Sequence, residues 1–188
     1  MARPPTEQLT DDQVSDSLDR ELRTLLTICF TRPQDEVFRH RRYWKEPPRY
    51  RWIMRNAGGD LIAHAAAHDK LIAARPEGGD EVELRVAGMA EVMVHPAARG
   101  MGHVTELLGV AHPALERMGF EFSVLFGRPV IYRSSGYRIA ENPIRYYDDQ
   151  EGDWRTERFQ KPERSFMYRP LIRSDWPVGI IDIRGSRF

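Results

Sequence analysis

The stretch Val92 to Val104, VMVHPAARGMGHV, gathers residue types that can hold an anion. Val92 and Val94 alternate with Met93 as a strand does, His95-Pro96 stops that strand, and Arg99, Gly100 and Gly102 lead into a helical pattern. A helix that opens directly after a strand presents backbone N–H groups and the positive end of its dipole, which together favour a phosphate. Gly100 and Gly102 allow the backbone to approach such a group closely. No Gly-Lys-Ser/Thr follows, so the turn is not a nucleotide P-loop.

The elements that must position this turn can be read around it. Met89 to Val94 forms the preceding strand, and Val104, Leu107, Leu108, Ala111, Leu115 and Met118 share one helical face, with Pro113 predicting a kink and Gly119 a stop. Glu121 to Phe126 reads as the next strand. Upstream, Thr10-Asp11-Asp12-Gln13 has the spacing of a capping box and predicts the start of a helix carrying Val14, Leu18, Leu22, Leu25 and Cys29, which Arg32-Pro33 ends. The run 39–51, RHRRYWKEPPRYR, predicts a short helix and a loop, because Pro47-Pro48 forbids a longer one. Strands at Arg51 to Arg55 and Leu61 to His68 flank the turn cluster Asn56 to Asp60 as a hairpin. A glycine-containing loop follows at Pro76 to Asp80, and Phe166 to Tyr168 reads as a late strand.

Composition narrows the class of protein. A chain of 188 residues fits one domain over 1–188, and 41% hydrophobic residues supply a sizeable core. Lys+Arg and Asp+Glu balance at 28 each, so no basic excess marks a nucleic-acid partner. Cys29 is the single cysteine, which excludes an internal disulfide and fits the cytoplasm. No apolar signal segment or membrane-length run is found, so no membrane partner is expected.

Val94, Pro96, Arg99 and Gly102 match, in order, the motif of the GNAT superfamily of N-acetyltransferases, a strand ending in Val-x-Pro followed by Arg/Gln-x-x-Gly-x-Gly/Ala. The chain resembles that superfamily over residues 10–140, with one departure: Val104 stands where Gly or Ala is usual. Tyr132-Arg133-Ser134-Ser135-Gly136-Tyr137 is similar to a second block of the family, Tyr-x-x-x-Gly-Phe/Tyr. The resemblance implies an α/β fold, the GNAT fold, with a mixed, mostly antiparallel central sheet flanked by helices. It implies acetyl-CoA as acyl donor, and the spacing of the histidines predicts no metal. Arg99, Gly100, Met101, Gly102, His103 and Val104 would then bind its pyrophosphate, and Val92, Met93 and Val94 its pantetheine arm. Tyr132 would protonate the departing thiolate.

Two subgroups that modify amino sugars are also similar in places. Ile62-Ala63-His64-Ala65-Ala66 resembles a strand of the aminoglycoside 2′-N-acetyltransferases, and Ser174-Asp175-Trp176-Pro177-Val178-Gly179 resembles their ending and that of the nodulation N-acyltransferases, which also share a late Gly like Gly185. The expected acceptor is therefore a small-molecule primary amine, an amino sugar or aminoglycoside, which would make antibiotic resistance the role. Homodimers are common in such families. A longer acyl chain, or an acyl-CoA sensor that turns nothing over, is the alternative.

Acyl transfer to nitrogen needs a neutral amine, and a lysine-like amine of pKa about 10.4 must first lose a proton. Glu91, beside Val92, is the candidate base, acting directly or through a water, although alternation along the strand allows it to face either way. His64 and His68 share one face of their strand, and His95 and His103 flank the turn, but their spacing makes no zinc site. Backbone N–H groups of Val92 to Val94 are the source of an oxyanion hole. No enzyme nucleophile is required, since the amine attacks directly. Asp148, Asp149 and Trp154, with Asp175, are candidate contacts for a cationic sugar, against a reading of Asp148 to Asp153 as a solvated acidic loop. Arg39, Arg41, Arg42, Arg49 and Arg51 read either as a site for an anionic group or as a wet surface.

Overall fold

A computed structural model describes residues 5–147, 157–160 and 164–188. The chain divides into two compact units, Met1–His68 with Met89–Ala111, and Asp69–Gly88 with His112–Phe188. Two long strands, β3 (Leu61–Arg75) and β4 (Val82–Val94), contribute residues to both.

In the first unit β1 (Thr6–Thr10) pairs antiparallel with β2 (Tyr50–Arg55), and β2 with the start of β3. The β2–β3 hairpin closes as expected over Asn56 to Asp60, where the Asn56 N–H donates to the Asp60 carbonyl at 2.9 Å and Gly59 adopts φ +90°. The first helix, α1 (Asp16–Cys29), starts later than the capping-box spacing predicts. Thr10 is the last residue of β1, paired with Tyr50, so Asp11–Gln13 makes only a 3-10 turn, with the Thr10 N–H bonded to Gln13 Oε1 at 2.9 Å. Ser15 caps α1 instead, its Oγ accepting from the Leu18 N–H. Leu18, Leu22, Leu25 and Leu26 of α1 then bury against Leu9, Ile53, Leu61 and Met93, with Phe38 closing the cluster. The short helix near the arginine-rich run is a 3-10 helix that ends on the run's first residue, at Pro33–Arg39.

The second unit holds α3 (Pro129–Tyr132), β5 (Phe122–Phe126), β6 (Arg138–Ile139), β7 (Ile144–Tyr147), β8 (Glu157–Gln160), β9 (Phe166–Pro170) and β10 (Ile180–Ser186). Its strand order is β6-β9-β5-β4-β3-β10-β7-β8. The β5–β9, β6–β9, β7–β8 and β3–β10 pairs are antiparallel and β10–β7 is parallel, so the sheet is mixed and mostly antiparallel, as the sequence leads one to expect. Ile72, Leu84, Val86, Phe122, Val124 and Phe166 lie in its core. The second long helix, α2 (His103–Arg117), contributes residues to both units, continues through Pro113 and stops before Gly119 at φ +82°. Among the described residues no helix is long and apolar enough to cross a membrane.

Both β3 and β4 run longer than their hydrophobic patterns suggest. β3 is rich in alanine, a weak strand former, yet Ala63, Ala65, Ala66 and Ala67 are all wholly buried, so both faces of that stretch are covered. Leu22 is fully buried on α1 and marks the core that sets the position of β4's end. Leu22→Ala is expected to cost about 2–5 kcal/mol of stability, read as a lower midpoint in urea denaturation.

Candidate active site

The strand end and the turn are tied together by short-range bonds around Val94. Its carbonyl accepts from Arg99 Nε at 3.2 Å and from the Cys29 thiol at 3.4 Å. A 3-10 turn, Pro96–Ala98, follows, with His95 Nδ1 accepting from the Ala97 N–H at 3.2 Å. That bond, made within the turn, gives His95 a structural duty. Gly100 and Gly102 adopt φ +79° and +83°, conformations that residues with a Cβ rarely take. A Cβ added to either would meet nothing within 4 Å. Glycine is therefore needed here for backbone conformation, and the backbone stays open towards a ligand. Glu106 is bonded by its N–H to the Gly102 carbonyl at 3.1 Å, so the residues just before it direct backbone donors out of the helix end. His103 is buried with Nδ1 3.4 Å from Glu106 Oε2, whereas Met101 is exposed on the turn.

Two residues before Met93, β4 breaks its pleat. Glu91 has φ +48°, a left-handed conformation that is costly for any residue with a side chain. The break removes the alternation that left its direction open: Glu91 and Met93 are buried, and so is Val94. Glu91 Oε1 accepts the Trp44 N–H at 3.0 Å. Oε2 is buried and accepts no hydrogen bond among the described residues, lying 3.6 Å from Arg51 Nη1. Burial pushes the Glu91 carboxyl up to about 7, against the opposing pull of Arg51. A carboxyl that exchanges its proton near neutral pH and keeps one oxygen unbonded can act as a general base.

The wider surroundings of Glu91 come from residues whose role the sequence does not reveal. Arg51 is wholly buried, donating to Asp11 Oδ1 at 2.7 Å, to the Arg42 carbonyl at 3.2 Å and to His64 Nε2 at 3.0 Å. Arginine has no acceptor, so His64 Nε2 must accept, and the proton sits on Nδ1, which donates to the Glu91 carbonyl at 3.0 Å. Burial and the arginine charge hold His64 well below its usual pKa. It is neutral with its lone pair occupied, and cannot serve as a base. His68 is buried 3.9 Å from Glu46. Arg42 pairs with Asp11 at 2.7 Å and Asp19 at 3.0 Å. Two of the arginines in the run 39–51 thus serve an internal charge network, in place of the wet surface or anion site that their composition suggests.

Tyr132 lies in the second unit, at the end of α3, buried and pushed up to about 12 by burial. Its ring meets Tyr137 edge-on at 5.9 Å, and a Cβ on Gly127 would come within 2.4 Å of it, so the missing side chain at 127 makes room for the phenol. The Tyr137 hydroxyl is bonded to Ser123 Oγ at 2.6 Å and His112 Nε2 at 3.0 Å. Burial takes His112 down to about 3, so this network stays uncharged. Asp175 is exposed and accepts from Ser174 Oγ at 3.1 Å. Beside it, Trp176 stacks on Tyr168 at 4.4 Å and donates to Asn142 Oδ1 at 2.7 Å. Asp148, Asp149 and Trp154 lie outside the described residues. Among the described residues no three His, Cys, Asp or Glu side chains gather to hold a metal ion.

The strand thus breaks at a buried carboxyl raised to about 7 and ends in an open glycine turn. The family model "Acetyltransferase (GNAT) domain" matches residues 12–140, and the chain belongs to the GNAT acetyltransferases. The fold is similar to that of the Escherichia coli GNAT family N-acetyltransferase YhbS in complex with CoA (TM-score 0.65, 17% identity, 97% of this chain and 91% of that one). It is also similar to a Brucella melitensis GNAT family acetyltransferase in complex with acetyl-CoA (TM-score 0.57, 16% identity, 94% of each chain). A third similar structure is the E. coli ribosomal-protein-S18-alanine N-acetyltransferase (TM-score 0.54, 17% identity, 93% of this chain and 99% of that one). No curated protein sequence matches the chain. The open space at Gly100 and Gly102 leaves room for an anionic group at the helix start.

Gly102→Asp is expected to abolish acetyl-CoA binding by calorimetry; its Cβ meets nothing, but φ +83° strains any residue with a side chain, so the variant is compared with one that carries the same strain. Gly102→Asn, of the same shape and strain but uncharged, should bind more tightly than Gly102→Asp, and that difference isolates charge repulsion from strain and crowding.

Proposed function

We propose that the protein transfers the acetyl group of acetyl-CoA to a primary amine of a small molecule, an amino sugar or aminoglycoside. The observation that carries this reading is Glu91: a buried carboxyl near pKa 7, with one oxygen unbonded, on the strand that runs into the open glycine turn. Arg99 to Val104 form the pyrophosphate cradle, and Val92, Met93 and Val94 line the pantetheine arm, their N–H groups serving the oxyanion. Glu91 removes a proton from the amine, whose lone pair forms the new C–N bond as the C–S bond breaks. Tyr132 offers its hydroxyl to the departing thiolate, the role that the second family block implies.

An amino-sugar acceptor is supported by one groove of the second unit, where Glu141 and Asp175 lie with Tyr168 and Trp176. Carboxylates beside aromatic rings suit a cationic sugar by charge and by stacking. Asp148, Asp149 and Trp154 are proposed as further contacts for a cationic sugar by their residue types alone. With a single, free cysteine, Cys29, the proposed location is the cytoplasm.

Thiol release from acetyl-CoA, screened over amines with amino sugars first, tests the reading. The rate is expected to rise as pH increases through about 7, when Glu91 becomes ionised. Glu91→Gln should lower kcat by about 100-fold or more and keep acetyl-CoA affinity. Binding with no release from any amine would replace the enzyme with a sensor, and release from longer acyl thioesters alone would replace the donor.

Stability gives an independent check on Glu91. Its folded pKa is raised above the ordinary 4.5, so the unfolded chain ionises first as pH rises. The contribution of Glu91 is fully present below about 4.5 and is lost as pH climbs through about 7. Glu91→Gln is expected to remove this slope, gaining stability relative to wild type in urea denaturation at pH 8 and not at pH 4.

A further inference from the structure

We propose that Arg51 is a positioning residue for Glu91: its guanidinium, with each nitrogen bonded to one of Asp11, His64 and the Arg42 carbonyl, fixes the strained backbone at 91 and faces the carboxylate without bonding it. The inference rests on the reading of Glu91 as the base and adds what holds that base in a usable state.

Two connections run from Arg51 to Glu91. The first passes through His64, whose Nε2 lone pair receives the arginine N–H at 3.0 Å and whose Nδ1–H therefore reaches the Glu91 carbonyl at 3.0 Å. A residue held at φ +48° needs its backbone fixed from outside, and this bond supplies that. The second is electrostatic. Arg51 Nη1 lies 3.6 Å from Glu91 Oε2, beyond hydrogen-bond distance, so the carboxylate feels the charge while its buried oxygen stays unbonded. A direct fork-on-carboxylate pair would pull Glu91 down into the ordinary acid range and leave a poor base.

Asp11 prevents that pair from forming. Its carboxylate takes Arg51 Nε at 2.7 Å, and Arg42 Nε and Nη2 at 3.0 and 2.7 Å. The groups that face Glu91 are then Arg51 from β2, neutral His64 from β3, the Trp44 N–H and Arg42 from the stretch after the Pro33–Arg39 turn, and Asp11 beyond β1. Asp19 of α1 holds Arg42 in turn. Removing the negative charge of Asp11 should leave more of the arginine field on Glu91, and removing Arg51 should leave Glu91 buried without a counter-charge.

The experiment is an NMR titration of the carboxyl carbons in protein labelled with [δ-13C]glutamate, with Glu91→Gln assigning the resonance. In Asp11→Asn the Glu91 midpoint is expected to fall by about one pH unit, and in Arg51→Gln to rise by about as much. An unmoved midpoint in folded Asp11→Asn overturns the proposal and leaves the arginine as a structural ion pair. Should Arg51→Gln fail to fold, the near-isosteric Asp11→Asn decides alone. The titration uses neither donor nor acceptor, so it can succeed where the proposed acetyl transfer fails, and the reverse.

Discussion

A guanidinium cannot give up its proton inside a protein, so burying Arg51 completely obliges the fold to bury acceptors around it. That single requirement reaches every element near Glu91. Asp11 must stand at the end of β1, which keeps Thr10 in the strand and delays α1 to Asp16. The stretch after the Pro33–Arg39 turn must bring the Arg42 carbonyl inward, and with it Trp44, whose N–H holds Glu91. His64 must be neutral and in one tautomer. An apolar side chain of similar volume at 51 would ask none of this of its neighbours.

The arrangement is costly for stability and useful for chemistry. A buried carboxyl without a full complement of bonds, on a residue with positive φ, is unfavourable twice over. The apolar cluster of α1 with β2, β3 and the end of β4 offsets this strain, since Leu22, Leu26 and Met93 are buried against each other there. A stable core close to a strained residue is how a fold keeps a group in a protonation state that water would not allow.

What the sequence reveals and what it hides follow from the range of the interactions. The glycine turn is local: a strand stop, positive-φ glycines and a helix start within a dozen residues carry it, and both hairpin and helix patterns around it survive in the structure. The charge network is not local. Asp11, Arg42, Arg51, His64 and Glu91 come from separate elements, and RHRRYWKEPPRYR has the composition of a solvated surface. Only the assembled fold shows that Arg51 points inward. β1 is hidden for another reason, because TEQLT is short and polar and is a strand only through its pairing with β2. β3 outruns its pattern because exposed Asp69 and Leu71 with half-buried Lys70 interrupt it before Ile72 to Ala74 bury again.

The two proposed proton-transfer groups are tuned by the same force, burial, to opposite ends. Glu91 is lifted to about 7, where it can take a proton and give it back at neutral pH. Tyr132 is lifted to about 12, away from the working range, so the phenol remains protonated. A thiol leaves with a pKa of about 8.5, so full transfer from such a phenol to a thiolate runs uphill by more than three pH units. What the buried phenol can supply is a hydrogen bond that strengthens as charge develops on sulfur. Completing the transfer requires that water admitted with the donor resolvate the phenol and lower its pKa, or that solvent protonates the thiolate after release. On either route Tyr132→Phe should cost less in rate than Glu91→Gln, because a hydrogen bond is replaced by solvent more readily than a base.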